Sequence, residues 1–188
     1  MADFLFELGV EEVPVSEIRS IRGQLEEKFK SELELNLVEY QSIESSSTNT
    51  RFMVYIKEIK EKANDKEEFI LGPSKKVGFS DDGAPTIALT KFLASHDCTV
   101  RNLVEIEQKK GIYLGIKKKV TGQPVPMILE RIIPKILSEL TFKKAMVWNS
   151  SRIPFVRPII NILALFNSDL IELEFAGIES SNIISGHN

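Results

Sequence analysis

The stretch RFMVYIKEI, residues 51–59, alternates two kinds of side chain: Phe52, Val54 and Ile56 point one way, Met53, Tyr55 and Lys57 the other. A period of two is the signature of a β-strand with one buried face. Upstream, DFLFELG (3–9) reads as a buried strand, with Phe4, Leu5, Phe6 and Leu8 apolar and Gly9 ending the run. Between them Ile18, Ile21, Leu25, Phe29 and Leu33 recur three or four residues apart, one apolar stripe along a helix. Pro14 and Ser16 suit its start, and Glu17 suits the positive end of its dipole.

Working outward, LVEYQSI (37–43) is predicted as a strand, ESSSTNT (44–50) as a polar turn, and the charge run KEKANDKEE (60–68) as a solvated crossing point. ILGPSKKVGFSDDGAP (70–85) is rich in turn residues and reads as extended. Pro85 opens a short helix with Ala88, Leu89, Phe92 and Leu93 on one side. LVEIEQ (103–108) and GIYLGIKKKV (111–120) read as a hairpin turning at Lys109–Lys110. Val125, Ile128, Leu129, Ile132, Ile133, Ile136, Leu137 and Leu140 keep helical phase over 124–140. Pro134 inside that pattern lacks a backbone donor, which predicts a kink or two short helices. IINILALF and LIELEF flank Asn167–Asp169 as a second hairpin. Strands and helices mix without strict alternation. The expected fold is therefore α+β, a mixed, mostly antiparallel sheet with packed helices, in which residues 1–65 and 121–188 form the core and 66–120 a small inserted lobe.

The chain has 188 residues, 43% of them hydrophobic, enough for a domain with one inserted lobe. The single cysteine, Cys98, allows no intrachain disulfide and no multi-thiolate metal site, which fits a cytoplasmic protein. No secretory leader is read at the N-terminus, and the most apolar stretch, 158–166, is about half a membrane helix, so no membrane partner is expected. The net charge of −3 hides an asymmetry: residues 101–160 hold 12 basic and 4 acidic side chains. FKKAMVWNSSRIPFVRPI (142–159) concentrates it, with four cations, the only tryptophan and no acid. Clustered cations are the footprint of an anionic polymer, although folding can also disperse them into a neutral mosaic. Trp148 can stack on a base or plug the core, the commoner fate of a lone tryptophan. Arg157 can contact phosphate or be held by a carboxylate such as Glu172 or Glu174.

Constellations for catalysis are sparse, and no catalytic or metal-binding residue is assigned. His96 and His187 are too few for a histidine-rich metal site, and sequence neighbours such as His96 and Cys98 rarely make a nucleophile–base pair. GPSKK (72–76) lacks the P-loop pattern and reads as an exposed turn or a phosphate-backbone contact.

Several motifs, in order, resemble one family. FLFELGVEEVP (4–14) is similar to the opening of the bacterial glycyl-tRNA synthetase beta subunit, a strand followed by a G-T-E-E-L-P-like turn. Arg51 in TNTRFMVYI falls where that family usually reads P-R-R-L. GPS (72–74) matches a G-P after the charge run, and APTIALTKFLASHDCTV (84–100) its short helix. FKKAMVW (142–148) is similar to P-K-x-M-R-W, FVRP (155–158) to F-x-R-P, and SGH (185–187) to the start of G-H-R-F. Asn49 or Thr50 stands for the missing Pro and Arg, and Val147 for the Arg of M-R-W. Both departures remove cations.

The resemblance implies an N-terminal fragment of a longer subunit, and a fold like the core of the phenylalanyl-tRNA synthetase beta chain. It implies a cytoplasmic enzyme of two alpha and two beta subunits that joins glycine to tRNA with ATP and Mg²⁺. The alpha subunit would carry that chemistry, and this segment would hold no cofactor itself. Its partners would be the alpha subunit and tRNA, with Arg51, Lys75, Lys76, Lys117, Lys118, Lys119, Lys143, Lys144, Arg152 and Arg157 as RNA-binding candidates. Two other roles stay open: a docking scaffold without RNA contact, and an editing-type hydrolase.

Overall fold

The computed structural model describes residues 1–80, 82–108 and 111–184. The chain divides into two units, Met1–Asn64 with Gly122–Asn188, and Asp65–Thr121. The fold is α+β with mostly antiparallel sheets.

In the larger unit, Phe4, Phe6, Leu8 and Val10 on strand β1 (Ala2–Val10) are wholly buried. β1 pairs antiparallel with β3 (Arg51–Ile59) on one side and β7 (Ile159–Phe166) on the other. β2 (Ser42–Ser47) and β8 (Asp169–Leu170) close the edges, giving the order β2-β3-β1-β7-β8. Phe52, Val54 and Ile56 lie on the same face as Phe4, Phe6 and Leu8, as the period-two pattern requires.

Helices α1 (Val15–Leu35) and α4 (Val125–Ser138) cover that face. Ile21, Leu25, Phe29 and Leu33 of α1 are buried, and Phe29 meets the rings of Phe4 and Phe6 at 6.0 and 5.5 Å. Truncating so deep an aromatic costs roughly 3–5 kcal/mol. The α4 stripe, Ile128 to Leu137, completes the core.

The smaller unit is a three-stranded antiparallel sheet, β4 (Lys66–Ser74), β6 (Gly111–Val120) and β5 (Leu103–Gln108), in the order β4-β6-β5. Two short helices, α2 (Lys75–Gly78) and α3 (Ile87–Ala94), pack on it. Thr86 caps α3 by accepting from the Leu89 amide, and Leu89 and Leu93 join Leu114 and Ile116 in a second core. A Cβ at Gly78 would press on the Leu114 side chain, so glycine lets the two pack closely. Gln108 pairs with Gly111, while the turn residues Lys109 and Lys110 lie outside the described residues, as do the SGH residues 185–187.

Several expectations need correction. Residues 37–41 are not a strand. The Val38 amide returns to the Leu33 carbonyl and Leu37 sits at φ 57, ending α1 instead. The strand is SIESSS, so 44–47 pair rather than turn. As an edge strand, β2 takes its register from β3 and needs no apolar alternation of its own. Second, α4 runs unbroken through Pro134. The carbonyl that Pro134 leaves without a helical partner belongs to Glu130, an exposed residue, so water can satisfy it. Third, LIELEF is not one strand: Leu170 ends β8, and Glu174–Phe175 forms β9, which pairs with β10 (Ile178–Glu179). Part of the charge run, Lys66–Glu68, also belongs to β4, and the stretch read as extended over 70–85 ends its strand at Ser74 and turns into the helix of Lys75–Gly78, so GPSKK is strand and helix rather than a turn.

Candidate nucleic-acid interface

The cation-rich segment 141–158 is irregular in path but firmly anchored. Gln24 on α1 donates to the Thr141 carbonyl and accepts from the Thr141 amide and hydroxyl, each at 2.9 Å. Glu17, only 5% exposed, accepts from the Lys143 amide at 3.5 Å. Met146 and Phe155 exchange two backbone hydrogen bonds, and Phe142 packs edge-on against Phe155 at 4.8 Å. Between them Asn149 donates to the Ala176 carbonyl at 2.6 Å and accepts from the Ser151 amide and hydroxyl. The result is a looped arm pinned at its base and its middle.

That anchoring presents the Lys143, Lys144 and Arg152 side chains to solvent. None has a carboxylate within ion-pair distance among the described residues. Arg152 sits at φ 59, a left-handed conformation uncommon for any residue other than glycine. Trp148 is half-buried and packs on the core, the commoner of its two expected fates, and its Nε1–H is buried without an acceptor among the described residues.

Arg157 is a strut rather than a free cation. Its Nε donates to the Glu12 carbonyl at 3.0 Å and Nη1 to the Val156 carbonyl at 3.3 Å. It meets backbone oxygens, not Glu172 or Glu174. Arg51 pairs with Glu7 at 2.6 Å on the sheet face opposite the helices.

In the smaller unit, Lys75 pairs with Glu105 at 2.6 Å, Lys117 with Glu67 at 2.7 Å and Lys119 with Asp65 at 3.1 Å. Lys118 and Lys76 have no carboxylate at that distance among the described residues. Lys117 and Lys119 thus sit in a ladder of alternating charge along β4 and β6, the neutral mosaic that was the alternative to a basic face. These pairs are exposed, each worth about 0–1 kcal/mol, so a phosphate could displace the carboxylate at little cost.

Cys98 and His96 form no dyad. The thiol donates to the His96 carbonyl at 3.3 Å, while the imidazole packs edge-on against Phe92 at 5.1 Å. His187 lies outside the described residues. Among the described residues no three His, Cys, Asp or Glu side chains gather as a metal ion would require, and no helix is long and apolar enough to cross a membrane.

Asn149 was not singled out by the sequence. A lone Asn in a polar loop carries no signal until its three hydrogen bonds are placed.

Residues 4–188 match the family described as glycyl-tRNA synthetase beta subunit. The chain is 33% identical over 187 residues to the glycine–tRNA ligase beta subunit of Oleidesulfovibrio alaskensis, covering 100% of this chain and 27% of that protein. It is 35% identical over 185 residues to that of Trichlorobacter lovleyi (98% and 27%) and 32% identical over 185 residues to that of Halothermothrix orenii (98% and 26%). The chain belongs to the glycyl-tRNA synthetase beta subunit family. It spans about a quarter of the length of these relatives.

Proposed function

We propose that this chain is a tRNA-binding and assembly segment of the beta subunit of glycyl-tRNA synthetase, a cytoplasmic enzyme of two alpha and two beta subunits. In this reading the whole enzyme joins glycine to tRNA with ATP and Mg²⁺, and the alpha partner carries that chemistry. The segment contributes electrostatics and shape: its cations neutralise tRNA phosphates and release counterions. One observation carries the reading. Lys143, Lys144 and Arg152 are exposed and without carboxylate partners among the described residues, on an arm otherwise tied down by Gln24, Glu17 and Asn149.

The test is a tRNA titration across salt concentrations. Three neutralised phosphates predict an affinity loss of roughly 40-fold between about 50 and 200 mM salt. Binding that is absent at low salt, or flat across that range, removes the RNA role.

A second observation favours alpha-subunit docking. Leu5, Met53 and Leu165 are half-buried and Leu163 buried on the sheet face opposite the helices, and none belongs to the core those helices share. Co-elution of the chain with an alpha subunit, unaffected by reversing the charge of Lys143, Lys144 and Arg152, is the expected result if both roles hold. Failure to co-elute removes docking alone.

A further inference from the structure

The smaller unit contains a cleft that phosphate neutralisation along the arm leaves unused. Its volume is about 900 Å³, and its wall includes Ser74, Lys75, Lys76, Phe79, Ser80 and Ile112. The fold builds it deliberately from three short pieces. β4 ends at Ser74 and the chain turns through α2, which Gly78 lets settle against Leu114. Phe79 then bridges Pro85, and the intervening loop is closed by hydrogen bonds from the Ser80 hydroxyl to Asp82 and to the Ala84 carbonyl. The start of β6, at Gly111 and Ile112, forms the remaining side.

The wall mixes cationic, hydroxyl and apolar groups. It carries Lys76, exposed and without a carboxylate partner among the described residues, and Lys75, whose link to Glu105 is itself about half exposed. The Ser74 hydroxyl has no partner among the described residues and is available as a donor, whereas the Ser80 hydroxyl is already committed to its own loop. The Asp82 carboxylate accepts from Ser80 and the Ala84 amide, is held below its ordinary range first by the Ser80 hydrogen bond, and is directed into that turn. Its apolar groups are Phe79, half-buried against Leu89 and Leu114's cluster, and Ile112, 39% exposed. Two cations, a free hydroxyl and an aromatic ring lining one cleft, within the size range of small-molecule sites, match a phosphate joined to a flat ring.

We propose that this cleft seats one nucleotide, with its phosphate at Ser74, Lys75 and Lys76 and its base against Phe79 and Ile112. The nucleotide is either free or an unstacked residue of single-stranded RNA. The RNA source rests on the tRNA reading above, while the cleft's chemistry does not.

The experiment titrates the full chain with adenosine 5′-monophosphate and, separately, with a short unstructured oligoadenylate, in the parent and in Lys76→Glu and Phe79→Leu variants. Leucine keeps the apolar packing of Phe79 on the second core, and thermal melting confirms that each variant is folded. Both substitutions are expected to weaken binding by about tenfold, within the range for losing one stacked base, with phosphate contacts adding a salt-dependent part. Binding of both probes identifies a free-nucleotide site, and binding of the oligonucleotide alone identifies an RNA site. Absence of binding by both probes at low salt, or equal binding by the parent and the folded variants, overturns the proposal. Salt-dependent tRNA binding that survives Lys76→Glu while the probes lose affinity separates the cleft from the arm.

Discussion

Asn161 lies directly across from Gly9 in the β1–β7 ladder, and its amide occupies the space a side chain at position 9 would need. The same amide has a buried Nδ2 with no acceptor among the described residues. The pair is therefore tight on one side and polar-unsatisfied on the other. Gly9→Ala is expected to destabilise by about 1–3 kcal/mol through overpacking. In an Asn161→Ala background the same change should be neutral or stabilising, since alanine suits a strand better than glycine once space is free. A double-mutant cycle in urea measures the coupling, and additive costs would refute it.

Arg51 is expected to act in stability rather than in RNA affinity. It is paired with Glu7, whose side chain is only 14% exposed, so Arg51→Gln leaves a carboxylate with poorer compensation. The expected cost is about 1–3 kcal/mol by chemical denaturation. The affinity for tRNA should change less than about twofold, against the tenfold or greater loss expected when the three arm cations are reversed.

Acid should loosen the β1–β3 bulge. The Asp3 carboxylate accepts first from the Glu58 amide at 3.0 Å, Glu58 being held at φ 50, and then from the Tyr55 hydroxyl at 2.7 Å. Both hold its pKa below the ordinary value. Glu26 is lowered likewise, chiefly by Lys30 and then by Ser45, a contact that ties α1 to β2. A lowered carboxylate stabilises the fold fully above its unfolded pKa, and that contribution disappears as pH falls through the lower folded value. Denaturant midpoints should therefore fall below about pH 4, and less steeply in Asp3→Asn. An identical pH profile for the variant would remove Asp3 from the account.

Pro134 is a stabilisation site. The helix already runs through it, so Pro134→Ala restores a backbone donor facing Glu130 without altering the fold. Melting of the variant should show a gain of about 1–3 kcal/mol.

The parts of this protein legible from sequence are those in which burial and periodicity agree. β1, β3, α1 and α4 each write their buried face into side-chain spacing, and their residues are where the pattern put them. β2 was illegible because an edge strand can be built from serines when its partner supplies the register. Pro134 misled because the solvation of one exposed carbonyl, invisible in a pattern, decides whether a helix breaks. For the site, residue type showed where cations concentrate but not which are engaged. Arg157 on the Glu12 carbonyl and Lys117 on Glu67 carry the same letters as Lys144 and Arg152. Phe79, a wall of the cleft, was missed because its role depends on a neighbour, Ile112, 33 positions away.

The most direct test of the central claim compares the parent chain with a Lys143→Glu/Lys144→Glu/Arg152→Glu variant in tRNA titrations over a range of salt concentrations. All three positions are exposed, so the variant should melt like the parent. The account predicts at least a tenfold loss of affinity at low salt and a salt slope shallower by about one for each cation removed. The same affinity and slope in both proteins would show that the arm does not hold the RNA.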